Sequence, residues 1–423
     1  MQQLRLAAWV AALYLLAAFF SRSLAESSTE TIPVWLGSAI TFSALLICAR
    51  WSWPAILAGG GVASIAWGLI AHHLGFVPVL AFGAIEVVSM GLGAGIATIG
   101  RRDPQRPAGA VLMMAGAFIG AAIGGLLAVL LWGWQRPGAD AWAEWLAWTS
   151  STAVGMLLVA PLVAAFRGFR IKRSGGLPMR QFLGGAAAFV AFLVAVLVVF
   201  ENNAAQRFGD LASTLAYVPM PFLLIAAALW GTRGGALAVL LGALLIIWRT
   251  AQGGGPFAVF EAYPGEAVIE VQGFVAVWAC VMLAVRALAE ERRALLDQAH
   301  TWRLRYERTL QAIGVASVEY DIASGGATWG EGAAMVLGPA VANVSSLSDW
   351  LDRIDTAERG LVQAHWSAIA RGDLESSEQD YAVHLGGGRT CRVNEQLAGV
   401  RGADGTVEQV VAMLRLVEKE AAA

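Results

Sequence analysis

Up to about residue 287 the chain is a succession of apolar runs, and from Arg292 to Ala423 it reads as ordinary water-soluble sequence. That division constrains the fold more than any other feature. An apolar run of about 20 residues is long enough to cross the hydrocarbon layer as a helix, and a helix in lipid satisfies its backbone polar groups internally. The chain is 57% hydrophobic and 14% charged, with a mean hydropathy of +0.62, outside the range of soluble globular proteins. The apolar part is far larger than an anchor for the soluble remainder needs to be. A detector in the membrane feeding a module beneath it is the reading this suggests.

About ten membrane helices can be placed, over residues 6–20, 33–49, 54–71, 76–99, 108–132, 146–166, 182–200, 214–230, 234–248 and 268–288. The pair around Gly231 is short enough to be a re-entrant hairpin. Assigning the loops alternately separates the basic residues. One side receives Arg5, Arg50, Arg101, Arg102, Arg106, Arg167, Arg170, Lys172, Arg173, Arg180, Arg233, Arg286, Arg292 and Arg293, and the other only Arg22, Arg136, Arg207 and Arg249. Excess Lys/Arg marks the cytoplasmic side, so a multi-pass protein of the bacterial inner membrane with both termini in the cytoplasm is expected. Arg5, the apolar run to Phe20 and Ser23-Leu24-Ala25 also have the layout of a secretory signal peptide. A first span is the reading adopted, because nothing downstream calls for export. Net charge is −2, which gives no basic surface for nucleic acid. Cys48 and Cys280 lie in apolar stretches and Cys391 in the soluble part, so no disulfide framework is expected.

Ionisable groups inside the membrane are functional-site candidates by default. Glu86, in mid-helix, is the sharpest: a hydrogen-bonded structural carboxyl or a ligand or proton contact. His72 and His73 at the outer end of the third helix, and Glu201 and Asn202 at the start of an outer loop, complete the sensing candidates, with plain interfacial positions as the alternative. Gly116, Gly120 and Gly124 recur every fourth residue on one helix, and Gly91 and Gly95 do so on another. Small residues at that spacing let helix backbones approach closely, within the bundle or at a dimer seam.

Four patches resemble the MASE1 family, the integral membrane sensory domain of bacterial signalling proteins. Pro33-Val34-Trp35 leads to Trp53-Pro54-Ala55-Ile56-Leu57-Ala58-Gly59. Trp145 and Trp148 precede Gly155-Met156-Leu157-Leu158-Val159-Ala160-Pro161-Leu162. Trp230-Gly231-Thr232-Arg233 is followed by Thr250 and Gly255-Pro256-Phe257. Gln272 and Phe274 open the last helix, which ends in Glu290-Glu291-Arg292-Arg293. The resemblance covers about residues 5 to 295 and implies a sensory domain over residues 1–288. The family often has Gly-Asp where this chain has Ser151-Thr152, and an Asn near the fourth helix that Glu86 here lacks.

From Arg286 to Ile313 there is no Gly or Pro, which favours a helix continuing out of the last span. Leu288, Leu295 and Trp302 stand seven apart, an imperfect heptad seam. A dimeric signalling helix over residues 289–312 is one reading, and a helix packed on its own domain the other. Beyond it, two strands, then helices, then three strands are expected over residues 313–418, the last three over Asp380–Leu385, Thr390–Val400 and Val407–Val417 with turns at Gly386-Gly387-Gly388 and Ala403-Asp404-Gly405, ahead of a tail at 419–423. The order resembles that of a PAS domain, as does the wording Val318-Glu319-Tyr320-Asp321, Thr328-Trp329, Trp350 and Ala403-Asp404-Gly405-Thr406. The expected fold is thus a polytopic all-α membrane domain plus a small α/β domain with an antiparallel sheet. No cofactor is expected in it: Cys391 falls on a strand, unlike a flavin-reactive Cys, and His365 and His384 have ordinary surface positions. An unidentified small-molecule ligand remains open.

The chain carries no kinase, cyclase or phosphodiesterase signature, no phosphate-cradling loop and no metal-ligand spacing, so an enzyme is not expected. The leading function is a sensory receptor acting on a separate or missing effector of the histidine kinase or diguanylate cyclase type. A small-molecule transporter or channel with a regulatory domain, and a membrane scaffold recruiting another membrane protein, are the alternatives.

Overall fold

The computed structural model of the chain describes residues 1–26, 31–72, 75–135, 140–168, 178–202, 207, 209–258, 265–385 and 390–418. It divides into two compact units, Met1–Arg293 and Ala294–Ala423. The first holds helices α1 (Gln2–Ser23), α2 (Leu36–Ile47), α3 (Trp53–His72), α4 (Phe76–Ala97), α5 (Pro107–Gln135), α6 (Ala141–Phe166), α7 (Met179–Val199), the single turn α8 (Ala212–Leu215), α9 (Met220–Ala251) and the start of α10 (Glu266–Ala312). Among the described residues eight helices are long and apolar enough to cross a membrane, and α2 is apolar but shorter.

Helix α6 is the hub, buried continuously from Ser151 to Pro161 and packed against α2, α5 and α9. Its start is fixed by Asp140, whose carboxylate accepts from the backbone N–H groups of Trp142 and Ala143, an N-cap that satisfies otherwise orphaned donors. Helices α1, α3, α4 and α5 pack on one another in that order, and α7 packs on α9.

The glycine seams are used inside the bundle. Gly116 and Gly120 of α5 lie against Gly93 of α4, where a Cβ on Gly93 would stand 2.7 Å from the Gly116 carbonyl oxygen, and Gly124 lies against Ser89. The partner face on α4 is therefore Ser89, Gly93 and Ala97, not the expected Gly91 and Gly95. A Cβ on Gly95 meets nothing within 4 Å, and one on Gly91 meets only the Leu57 side chain. At ~3.6 residues per turn, two residues along a helix is more than half a turn, so Gly91 and Gly95 lie on a face of α4 turned away from α5.

The expected helices 214–230 and 234–248 form one element, α9, broken at Gly231, whose φ of 66° and ψ of −161° are non-helical. The arms fold back on each other. A Cβ on Gly235 would stand 2.7 Å from the Ala227 carbonyl oxygen, and one on Gly242 would touch the Leu223 side chain. Only glycine enters this backbone region without strain, so the hairpin turns there.

Hydrogen bonds tie the loops into two opposite ends. At one end Gln105 donates to the Ala164 carbonyl (3.1 Å), Arg233 to that of Ala165 (3.1 Å) and Arg286 to that of Thr232. At the other, the backbone N–H of Leu36 donates to Ser21 Oγ (2.9 Å) and Arg249 to the Phe200 carbonyl (3.1 Å).

Helix α10 is 47 residues long, so the last span and the expected linker are one uninterrupted helix. In the second unit, strands β1 (Val315–Asp321), β2 (Ala327–Trp329), β3 (Ser376–His384), β4 (Thr390–Arg401) and β5 (Val407–Glu418) form an antiparallel sheet in the order β2-β1-β5-β4-β3. Strand β3 begins four residues before the expected Asp380, because Ser376–Gln379 pair with Leu397, Ala398 and their neighbours on β4 without an apolar signal of their own. Short helices α11 (Ala333–Leu337) and α12 (Leu347–Leu351) precede α13 (Thr356–Arg371). Helix α13 buries Val362, Trp366 and Ile369, one face at helical spacing, and ends at Gly372 in the left-handed conformation. The turn expected at Gly386–Gly388 lies outside the described residues.

Candidate functional site

Glu86 is 5% exposed on α4 and faces α2. Ser38 Oγ donates to Glu86 Oε2 at 2.6 Å, and the indole Nε1–H of Trp35 donates to Ser38 Oγ at 3.1 Å. The other oxygen, Glu86 Oε1, is buried without a hydrogen-bond partner, as is Thr41 Oγ1. Ser64 and Ser89 line the same small chamber, of about 10 Å³, but their hydroxyls are engaged by the carbonyls of Phe82 and Ile85. A chamber of that size holds about one water at most.

Beside it lies a larger cavity of about 160 Å³. Its walls are aromatic: Trp35 and Trp67 have ring centroids 5.4 Å apart at 58°, and Phe82 and Trp148 have centroids 5.4 Å apart at 73°. Pairs inclined this way are favoured by ring quadrupoles and leave corners rather than flat walls. Trp35, Phe82, Trp148 and Thr152 line both chambers, so the carboxyl stands directly behind the aromatic wall. Thr31 and Ile32, in the chain between α1 and α2, line the cavity at the end that carries Ser21 and Arg249.

The wall is tied to the rest of the bundle through the four residues before α2. The Trp35 N–H donates to the Ser151 carbonyl (3.0 Å) and Ser151 Oγ to the Ile32 carbonyl (2.9 Å). A Cβ on Gly155 would collide with the Trp35 carbonyl, so α6 reaches this segment only because residue 155 has no side chain. Gln272, fully buried on α10, donates through Nε2 to the Pro33 carbonyl at 2.9 Å and accepts from Ser150. Patches that lie far apart in sequence thus converge here: Pro33-Val34-Trp35, the run beginning at Gly155, and Gln272. The fourth, Trp230 to Arg233, sits at the opposite end, where Arg286 of α10 grips the Thr232 carbonyl.

The other sensing candidates do not join this site. Glu201 forms an exposed ion pair with Arg207 at 3.1 Å and Asn202 is exposed beside it, at the end of α7 rather than among α1 to α6. His73 lies outside the described residues, as does the side chain of His72. Leu288, Leu295 and Trp302 lie along α10, each about 60% exposed, so their stripe is uncovered within the chain.

The buried carboxyl of Glu395 was not anticipated from the sequence. Glu395 on β4 is fully buried; its Oε2 accepts from Gln379 (2.9 Å) and Trp366 (3.3 Å), and its Oε1 has no partner. Burial pushes its pKa up to about 7, against the hydrogen bonds that lower it. Trp350, Trp366 and Tyr381 fill the surrounding core, with Trp350 donating to Tyr381 Oη at 2.9 Å. The signal available was the period-two alternation Val393, Glu395, Leu397, which places all three on the inward face. Among the described residues no cluster of His, Cys, Asp and Glu is arranged to hold a metal ion.

Comparison with known proteins bears on each unit separately. A search of curated proteins finds no match. Solved structures similar to part of the chain include the N-terminal domain of a diguanylate cyclase with PAS/PAC sensor from Marinobacter aquaeolei, at 16% identity, covering 24% of this chain and 94% of that one with a TM-score of 0.23. Another is a sensory box histidine kinase/response regulator from Burkholderia thailandensis, at 12% identity, covering 27% and 84% with a TM-score of 0.22. Likenesses at that level say nothing of a ligand or partner. The MASE1 family model matches residues 4–293, all but the first three residues of the first unit, with its converging patches, and on that match the chain belongs to the MASE1 family.

Proposed function

We propose that the chain is a sensory receptor of the bacterial inner membrane whose stimulus is received in the aromatic cavity beside Glu86. The single observation that carries this reading is the hydrogen bond from Gln272 to the Pro33 carbonyl. It joins the cavity wall to α10, the helix that runs on past Arg293 to Ala312. A stimulus that binds two arrangements of the wall unequally biases their populations, and α10 is the element through which that bias leaves. The arginine-rich loops favour cytoplasmic termini. The strand and helix order of the second unit supports a PAS-like relay, and the exposed heptad of Leu288, Leu295 and Trp302 supports a homodimer. The relay then acts on a separate effector of the histidine kinase or diguanylate cyclase type.

The hairpin at Gly231 favours a second reading, a small-molecule transporter, since interrupted helices line transport sites. For the scaffold reading, Gly116, Gly120 and Gly124 are taken up by α4, which leaves the face of Gly91 and Gly95 as the one it would use. The test is hydrogen exchange on the full-length chain in bilayer nanodiscs, together with solute flux in vesicles. Trp35→Leu is expected to change exchange in residues 294–312 as well as around α2, with no flux. Changes confined to α2, α4 and α6 would contradict the receptor, and flux abolished by Trp35→Leu would establish the transporter.

A further inference from the structure

Resting on the receptor reading, we infer that the aromatic cavity binds a small organic cation, an ammonium compound with a compact apolar body. Three independent features select this chemistry. The first is size. A cavity of about 160 Å³ is below the ~300–1,000 Å³ of drug-sized sites and close to the ~150 Å³ cavity that accepts benzene, so the ligand has roughly six to eight non-hydrogen atoms.

The second is the wall. Trp35, Trp67, Phe82 and Trp148 form two inclined ring pairs around one space. The negative faces of such rings attract a desolvated cation, tryptophan most strongly. The Trp35 indole N–H is already donated to Ser38, so that ring offers the cavity its face rather than a donor.

The third is the charge balance. No Lys, Arg or His is among the residues lining either chamber, and Glu86 Oε1 has no hydrogen-bond partner. A buried carboxylate without a counter-charge is costly, and a positive charge in the neighbouring chamber supplies what is missing. Coulombic attraction at low dielectric acts through the shared wall of Trp35, Phe82 and Trp148 without direct contact. An anion would face the same carboxylate unfavourably, and a neutral molecule would gain nothing from it. Thr31 and Ile32 line the cavity from the segment between α1 and α2, which the arginine distribution puts on the side facing away from the cytoplasm, and the ligand is expected from that side, as a free solute or as a lipid headgroup.

The experiment is titration calorimetry on the full-length chain in nanodiscs of phosphatidylglycerol, which carries no ammonium headgroup. The probes are choline, benzylammonium and tetramethylammonium, each against a neutral or anionic molecule of similar shape; for choline this is 3,3-dimethyl-1-butanol. At least one cation is expected to bind about tenfold or more tightly than its neutral counterpart. Glu86→Gln is expected to remove that preference, and Trp148→Leu to weaken the cation at least tenfold, with thermal unfolding of both variants unchanged within a few degrees. Repeating the titration with phosphatidylethanolamine separates the sources: weakened binding of the probe makes the headgroup the natural occupant, and unchanged binding a free solute. Equal binding of cation and neutral counterpart, or no binding of any cation by the folded wild type, overturns the inference. The receptor reading fails differently: cations that bind without altering exchange in residues 294–312 leave this site standing and remove its signalling role.

Discussion

Glu86 in the first unit and Glu395 in the second, both buried, make the most instructive comparison in the molecule. Glu86 and Glu395 each have one carboxyl oxygen hydrogen-bonded and the other without a partner. Around Glu395 the space is filled: Trp350, Trp366 and Tyr381 are among the largest fully buried side chains of the protein. Around Glu86, Tyr14 and Trp67 are as fully buried, yet a cavity of about 160 Å³ lies beyond Trp35, Phe82 and Trp148. The same incomplete satisfaction therefore has two meanings. In the second unit it belongs to a packed core that tolerates a titratable group; in the bundle it belongs to a wall with room beside it. An unpaired carboxyl alone does not mark a binding site, and the free volume next to it is what distinguishes the two.

The largest expected effect that tests this contrast is Trp366→Ala. It removes a filled-core tryptophan and a donor to Glu395, and should cost about 3–5 kcal/mol of second-unit stability, read by denaturant unfolding of the full chain. Trp148→Ala beside the cavity should cost less than half as much. Equal costs would mean that the cavity wall is packed as tightly as the core.

Next in size is the pH dependence of the second unit. With the folded-state pKa of Glu395 near 7 and its ordinary value 4.5, the folded state binds more protons than the unfolded state between those limits. Stability then falls as pH rises from about 4.5 to 7, by about 3 kcal/mol at most, and is flat above. Exchange protection of the β4 and β5 amides, corrected for intrinsic rate, measures it, and Glu395→Gln should flatten the curve. A wild-type curve already flat from pH 5 to 7 would place an ionised carboxylate in the core.

Within the bundle, Gly93→Ala should destabilise by about 1–3 kcal/mol, because its Cβ meets the Gly116 backbone, whereas Gly95→Ala should be neutral or slightly stabilising. Denaturation in mixed micelles reads both, and the reverse order would restore Gly91 and Gly95 as the packing face. The smallest effect is that of Glu86→Gln on folding, under about 1 kcal/mol. Ser38 can donate to an amide oxygen as it does to the carboxylate, and the atom left over has no partner to lose.

Much of this was legible in the chain itself. The apolar runs and the arginine distribution gave the succession of membrane helices, and Glu86 stood out because a carboxyl in mid-span is rare. What the sequence could not give was convergence. Ser38 lies 48 residues from Glu86 and Gln272 lies 239 from Pro33, and no local pattern encodes such pairs. The glycine repeats were visible, but their phase about the helix axis was not, which is why Gly93 was passed over for Gly91 and Gly95. Glu395 was missed for a different reason. Its strand alternates correctly, yet a charged residue on the inward face reads as polar strand until the surrounding aromatics are seen. The cavity is the least legible feature of all, since empty volume depends on how far the rings of four separate segments stand apart.

The most direct measurement is a double-mutant cycle read by hydrogen exchange in residues 294–312. If the bond from Gln272 to the Pro33 carbonyl carries the cavity's state into α10, Trp35→Leu alters exchange there in the wild-type background and leaves it unaltered once Gln272→Leu is present. An effect of Trp35→Leu that is the same size in both backgrounds, or absent in both, would contradict it.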